Sequence, residues 1–232
     1  MPIQQIVSKI KGVADILFLI DSSDSMAPCI AGIKNNLTSF VNYMENTDPN
    51  LMVDWQIGFC SHNTEYNIHL LSSDVTEFLN ELSKVKTMGD EFTPGALDYS
   101  ITSFNWRNNS TKYIVLFTDE TLEGGILIQM AKNNFSKLFR KLIESRIYLF
   151  YFGPQCPYYC QFEQIPNSRV EYIANDFTNI DFKEILQSIG RTVSASCTSQ
   201  ISSINPSNLE LVYPVYYGRS LRPKHEINVK KI

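Results

Sequence analysis

Short apolar segments that alternate with amphipathic ones constrain the fold of this chain more than any other feature. Three segments of strand length are almost continuously apolar: residues 13–20 (VADILFLI), 113–117 (YIVLF) and 147–152 (IYLFYF). Strands buried on both faces have this composition and belong to parallel sheets covered by helices on both sides. Between them, apolar residues recur at helical spacing, as in residues 30–44 and 125–145. The sequence therefore predicts an α/β, doubly wound, Rossmann-like fold with a mainly parallel sheet.

Two further segments predict an antiparallel hairpin strand at one edge of this sheet. Residues 52–60 and 66–71 are strand-like, and a short polar link joins them. A helix should follow, because Asp74 can act as its N-cap with Glu77 three residues later. The other predicted elements are a strand over residues 170–173 and helices over residues 94–104 and 181–193.

Composition divides the chain into three parts. Residues 1–12 form an N-terminal extension, residues 13–195 the domain, and residues 196–232 a tail that is richer in basic side chains. The tail contains LELVYPVYYG, an extended pattern interrupted by Pro214, which suits an edge strand or a docking peptide. The sequence leaves open whether the tail packs on its own domain or contacts a partner.

Charge and cysteine content exclude several classes of protein. The net charge is -4, from 20 basic and 24 acidic side chains, which argues against binding nucleic acid and against a polybasic membrane anchor. Five scattered cysteines do not form a framework of disulfides. The N-terminus lacks the apolar run of a signal peptide, and no run of about 18 apolar residues follows. We therefore expect a cytoplasmic protein that does not enter membranes.

Five oxygen-bearing side chains fall at the same end of the predicted sheet. Three follow the first strand, one precedes a short helix, and one follows the strand over residues 113–117. In open α/β sheets, ligands bind beyond the carboxyl ends of the strands. An all-oxygen set without His or Cys suits a hard divalent cation such as Mg²⁺ or Mn²⁺. The candidate metal ligands are Asp21, Ser23, Ser25, Thr93 and Asp119.

These residues resemble the metal-ion-dependent adhesion site of von Willebrand factor A domains. Asp21-x-Ser23-x-Ser25, the distant Thr93 and the late Asp119 match its three parts in the same order. The resemblance implies that the three hydroxyls ligate the metal and that the two carboxylates bind it directly or through water. It also implies Mg²⁺, Mn²⁺ or Ca²⁺ as the ion, with an Asp or Glu of a partner protein as a further ligand.

The resemblance also implies a function. Soluble single-domain relatives associated with tellurium resistance in bacteria act beside kinases, phosphatases or ATPases, which makes such proteins candidate partners. We therefore expect a non-enzymatic interaction module in a cytoplasmic, bacterial complex related to stress or defence. No residue is assigned a catalytic role, and none is assigned to an organic cofactor.

Two positions depart from the family pattern. Asp24 replaces the glycine that many members have between the serines, and Glu120 replaces a glycine that often follows the late aspartate. Additional negative charge would tighten cation binding and weaken the attraction for an acidic partner. Asp24 either points to solvent or coordinates the metal, and Glu120 suits the N-terminus of a following helix.

Three other interpretations of the chain remain. The candidate ligands are also residue types that cap helices and form turns. A metal-dependent phosphoryl-transfer or hydrolytic enzyme also places an Asp after its first strand, although Ser23 stands where haloacid-dehalogenase-like enzymes need a second carboxylate. No phosphate-binding loop or dinucleotide fingerprint occurs. The third alternative is a scaffold that assembles through the tail by adding a strand to a neighbouring sheet.

We expect structural rather than metal-binding or catalytic roles for the cysteine and histidine residues discussed next. Cys156 and Cys160 have a C-x3-C spacing without a second pair, so we expect loop cysteines rather than a zinc site. His62, His69 and His225 lie outside the predicted crevice. We therefore expect them to be surface residues or to pack in the core.

Overall fold

The structure, a computed structural model, describes residues 9–46, 51–63, 65–89, 92–122, 125–173 and 177–202. The predicted tail from residue 203 onward, with its extended pattern and His225, lies outside the described residues, as does the predicted extension up to residue 8. The strands are β1 (Lys9–Asp21), β2 (Leu51–His62), β3 (Tyr66–Ser72), β4 (Thr111–Phe117), β5 (Tyr148–Gly153) and β6 (Ser168–Tyr172). The helices are α1 (Ala27–Asn46), α2 (Val75–Leu82), α3 (Thr93–Ser103), α4 (Gly125–Glu144) and α5 (Phe182–Ser202), with 3-10 turns at Asp24–Met26 and Tyr159–Gln164.

The described strands form one sheet in the order β3-β2-β1-β4-β5-β6. All neighbouring strands are parallel except β2 and β3, which form the antiparallel hairpin at one edge. The chain leaves β1 to build one half of the sheet and returns to its other side with β4, so the strand order reverses between β1 and β4. The predicted doubly wound, Rossmann-like α/β fold with one antiparallel edge strand is confirmed.

The central strand β1 is apolar on both faces because helices cover both sides of the sheet. Its alternate side chains enter two separate hydrophobic cores, one with α1, α2 and α5, the other with α3 and α4. Phe18 makes edge-on ring contacts with Phe40 and Phe78 in the first core. Leu17 and Leu19 enter the second core. Burial on both faces is what the nearly continuous apolar run predicted.

Several element boundaries differ from the sequence-based ones, and three of these differences concern the ends of the domain and the candidate site. β1 begins at Lys9, inside the segment predicted as an extension, because its first residues pair with the start of β2. α5 continues to Ser202, and its amphipathic pattern continues with it, since Val193 and Cys197 are both buried. Thr93, expected in a loop, is the first residue of α3, where Pro94 fits because the first turn of a helix needs no backbone donor from it.

The helices bury one side and expose the other. α2 has the predicted N-cap, Asp74, whose Oδ1 accepts the backbone N–H groups of Thr76 and Glu77 at 2.8 and 3.0 Å.

Within the described part of the chain, no helix combines the length and the apolar character needed to cross a membrane.

Candidate metal centre

The candidate site lies at the carboxyl edge of the sheet, between the ends of β1 and β4. The two strands pair with each other up to Ile20 and Phe117, β1 stays paired with β2 up to Asp21, and a loop follows each strand. A reversal of strand order creates a crevice at this edge, and open α/β sheets bind ligands there. The loops that follow β1 and β4 and the first turn of α3 supply the polar side chains.

Asp21 is the buried centre of this group. Its Oδ1 accepts the backbone N–H of Ser23 at 2.8 Å, and its Oδ2 accepts the hydroxyl of Thr118 at 2.9 Å. The side chain is fully buried, and burial raises its pKa to about 6 although both hydrogen bonds favour the charged form. Among the described residues, no basic side chain forms an ion pair with Asp21. The carboxylate therefore lacks the positive charge that would compensate its burial.

The two serines of the first loop connect Asp21 to the loop after β4. The Ser23 hydroxyl lies 3.4 Å from Asp119 Oδ1, to which it donates, and 3.1 Å from the Ser25 hydroxyl. Because Ser23 has only one hydroxyl hydrogen, Ser25 is the donor in the second contact. Ser23 is buried and Ser25 is exposed, so the row of hydroxyls runs from the crevice to the surface.

Thr93 joins the same network through Thr118. The hydroxyls of these two threonines lie 3.1 Å apart, and both residues are fully buried. Thr118 donates its hydrogen to Asp21, so Thr93 donates to Thr118 and keeps its own lone pairs available. The sequence places Thr118 in the predicted crevice, but sequence analysis assigned it no role. Its position directly before Asp119 at the end of an apolar strand was the only signal that could have indicated it.

The structure thus brings the five sequence-predicted residues into one hydrogen-bonded network, and their role as metal ligands stays a prediction. The donor set suits a hard divalent cation, because it consists of two carboxylates and several hydroxyls with no softer atom. Among the described residues, no three His, Cys, Asp or Glu side chains cluster as a metal site. An ion at this edge would therefore depend on the hydroxyls. The residues in question are Asp21, Ser23, Ser25, Thr93 and Asp119.

The two departures from the family pattern behave differently. Asp24 is exposed in the 3-10 turn after β1. Glu120 is half-buried: its Oε2 accepts the backbone N–H of Thr93 at 3.0 Å and the hydroxyl of Tyr159 at 3.3 Å. Burial raises the pKa of Glu120 to about 7. Glu120 therefore caps the start of α3 rather than that of the helix that follows it in sequence, because its loop lies against the first turn of α3.

Glu120→Ala is expected to weaken Mg²⁺ binding roughly tenfold, as is typical when a group that orients a metal ligand is lost. The substitution removes the acceptor that fixes the backbone of Thr93, since the residue before Thr93 provides no side-chain cap. Isothermal titration calorimetry with Mg²⁺ measures the change. Glu163→Ala is the matched control, because Glu163 also accepts a tyrosine hydroxyl, that of Tyr172, but is exposed. Equal Mg²⁺ affinity in all three proteins would show that Glu120 does not position Thr93.

The other sequence candidates lie beside the network. Cys156 and Cys160 are free thiols; Cys156 lies in the loop before the 3-10 turn that carries Tyr159, and Cys160 lies in that turn. His62 pairs with Asp21 across β1 and β2 and is fully buried, and neither ring nitrogen has a hydrogen-bond partner among the described residues. Burial lowers the pKa of His62 to about 3, so it is neutral in the folded protein.

Fold and site together define a doubly wound α/β domain with an oxygen-lined crevice where its strand order reverses. Residues 15–191 match the model of the von Willebrand factor type A domain. The chain therefore belongs to the von Willebrand factor type A family, whose fold is that of a protein-interaction module.

The chain was also compared with solved structures and with curated proteins. The chain is similar to the crystal structure of the SpRpn10 VWA domain, with 14% sequence identity and a TM-score of 0.57. The match covers 76% of this chain and 94% of the other. At this level of identity the likeness shows the fold alone. No curated protein matches the chain.

Proposed function

We propose that this protein is a metal-dependent protein-interaction module that binds a carboxylate of its partner through a divalent cation. Mg²⁺ is the proposed ion, with Mn²⁺ and Ca²⁺ as the alternatives. The observation that carries the proposal is the convergence of hydroxyl and carboxylate side chains from three separate segments on the buried, uncompensated Asp21. The proposed ligands are Asp21, Ser23, Ser25, Thr93 and Asp119.

The balance of charges supports a carboxylate as the group that is recognised. Only two of the five proposed ligands are anionic, and where these carboxylates bind through water the ion contacts neutral oxygens alone. A divalent ion held in this way attracts one more anionic oxygen, which an Asp or Glu of a partner protein can provide. The binding energy would then come from the metal charge.

The hydrogen bonds of Asp21 support binding over catalysis. A nucleophilic carboxylate needs an oxygen that can approach its substrate, but Asp21 accepts the N–H of Ser23 on one oxygen and the hydroxyl of Thr118 on the other. The side chain is also fully buried. We therefore propose a non-enzymatic role and assign no catalytic residue.

The proposed setting is a cytoplasmic, bacterial complex related to stress or defence. Its support is the resemblance to the soluble tellurium-resistance-associated members of the family. Kinases, phosphatases and ATPases are the proposed classes of partner on the same ground.

Pull-down from the native cell tests the proposal. The tagged wild-type protein is expected to capture its partner in Mg²⁺, to lose it in the presence of a chelator, and to recover it when Mg²⁺ is restored. Asp119→Ala should capture none in either buffer. Asp98→Ala is the control, because Asp98 is similarly a half-buried Asp but pairs with Lys141 outside the network. Capture that is unaffected by both the chelator and Asp119→Ala would contradict the proposal.

A further inference from the structure

The edge strand β3 presents a row of exposed apolar side chains, which we call the β3 strip: Tyr66, Ile68 and Leu70. Their exposed fractions are 42%, 42% and 65%. Opposite them in the strand, His69 is buried and stacks on Phe59 with 5.5 Å between ring centroids. β3 therefore buries His69 in the core, whereas the side of the strand that faces α3 is covered only in part, by Tyr99 beside Tyr66 and by the second core beside Leu71.

The backbone of β3 also lacks two common protections of an edge strand, charged residues and proline, although its pairing with β2 is irregular between Ile57 and Phe59. Among the described residues it pairs only with β2, so one side of its backbone has no neighbouring strand. Natural edge strands are commonly protected by charged residues or proline. The segment from Tyr66 to Ser72 (YNIHLLS) contains neither. An extended chain can therefore add to this edge by backbone hydrogen bonds while its alternate side chains contact the strip.

The β3 strip is continuous with the candidate metal centre. Asp21, His62 and Tyr66 pair in a row across β1, β2 and β3. The Tyr66 ring stacks on Tyr99 of α3 at 4.9 Å, and its hydroxyl reaches the first turn of α3, where a Cβ on Gly95 would lie 3.1 Å from it. The same turn begins with Thr93. The strip therefore starts at the rim of the proposed site.

The size of the strip argues against a second copy of this chain as its occupant. Three side chains of this exposure supply roughly 300 Å² of apolar surface, scaled from the area that large side chains bury. Two copies would bury about 600 Å² through the strips, well below the roughly 1,200 Å² of a stable interface. A partner that also contacts the neighbouring metal centre gains the missing binding energy there.

The geometry points to a partner segment that pairs with β3 as an added strand and presents an acidic residue to the metal centre, an inference that rests on the proposed function. Its side chains alternate, with apolar residues packed on the β3 strip. The added strand lies outside β3, so three strand spacings, about 14 Å, separate it from β1. An extended chain covers this distance in about four residues, which places the Asp or Glu about four positions beyond the paired segment.

Selection of random nonapeptides displayed on phage tests the inference, with the wild-type protein in Mg²⁺ as bait. We expect enriched peptides with apolar residues at alternate positions and an Asp or Glu about four positions beyond them. Ile68→Lys should weaken their binding at least tenfold, measured by fluorescence anisotropy. Ile143→Lys is the matched control, because Ile143 on α4 is 41% exposed, and it should leave binding unchanged.

The outcomes separate this inference from the proposed function. Peptides without alternation, or equal binding to Ile68→Lys and Ile143→Lys, would overturn the inference even if Mg²⁺ binds. Peptides that depend on Ile68 but bind equally in a chelator would support strand addition and contradict the metal link. A wild-type dimer in analytical ultracentrifugation that Ile68→Lys dissociates would assign the strip to a second copy and overturn the choice of partner.

Discussion

Asp21→Ala and Asp119→Ala are each expected to weaken Mg²⁺ binding at least roughly 100-fold, because each removes one of only two carboxylates among the proposed ligands. Hydroxyl oxygens alone do not replace a lost anionic ligand. Asp21→Asn should fail in the same way, since it keeps the shape of the side chain and removes its charge. Isothermal titration calorimetry of the purified variants measures the affinity.

The fold should survive these substitutions. In Asp21→Ala the donors of Ser23 and Thr118 lose their acceptor, which costs about 1–3 kcal/mol, while the unfavourable burial of a carboxylate is relieved. Circular dichroism and thermal melting check that the variants fold. Asp24→Ala is the matched control: this exposed carboxylate of the same loop should change the affinity little. Undiminished Mg²⁺ binding in folded Asp21→Ala would contradict the proposed ligand set.

Of the substitutions proposed here, Arg107→Ala is expected to destabilise the fold most. We expect the free energy of unfolding to fall by about 3 kcal/mol, because the buried carboxylate of Asp15 loses its ion-pair partner. Asp15 is fully buried in β1, and the Arg107 Nε donates to its Oδ1 at 2.7 Å. The Arg107 Nη1 also bonds Asp54 of β2 at 2.8 Å. The arginine thus ties the loop before β4 to two strands at the end of the sheet opposite the metal centre.

Urea denaturation measures the change in the free energy of unfolding. Two comparisons test whether the change comes from the buried ion pair. Lys84→Ala removes an exposed ion pair with Glu81 and should change stability by less than about 0.5 kcal/mol. Mg²⁺ affinity should be unaffected in Arg107→Ala under conditions where the variant is folded. A loss below about 1 kcal/mol in Arg107→Ala would show that the remaining donors to Asp15, the Arg107 N–H and the Ser110 hydroxyl, suffice to hold it.

The architecture could be predicted because a strand that is buried on both faces is apolar at nearly every position. The runs that became β1, β4 and β5 have no polar face, so parallel pairing under helices was the consistent fold. Asp74 was predicted as a cap because capping depends on local residues only. The first strand and the last helix proved longer than predicted, since pairing with β2 and packing of Val193 extend them.

The contacts that organise the candidate site could not be predicted in the same way. Glu120 contacts Thr93 and Tyr159, 27 and 39 positions away in the chain, and such pairs have no periodic signal. The same is true of Thr118, which holds Asp21 and Thr93 together. The exposure of the β3 strip could not be predicted from the sequence either, because the residue pattern of a strand does not show which of its faces a helix covers.

Diffraction from crystals grown with Mn²⁺, recorded at the manganese absorption edge, tests the central claim most directly. We expect one anomalous peak in contact with the hydroxyls of Ser23, Ser25 and Thr93, and in contact with Asp21 and Asp119 directly or through one bridging water. A peak at another place in the fold, or no peak in crystals whose solution contains saturating Mn²⁺, would contradict this claim.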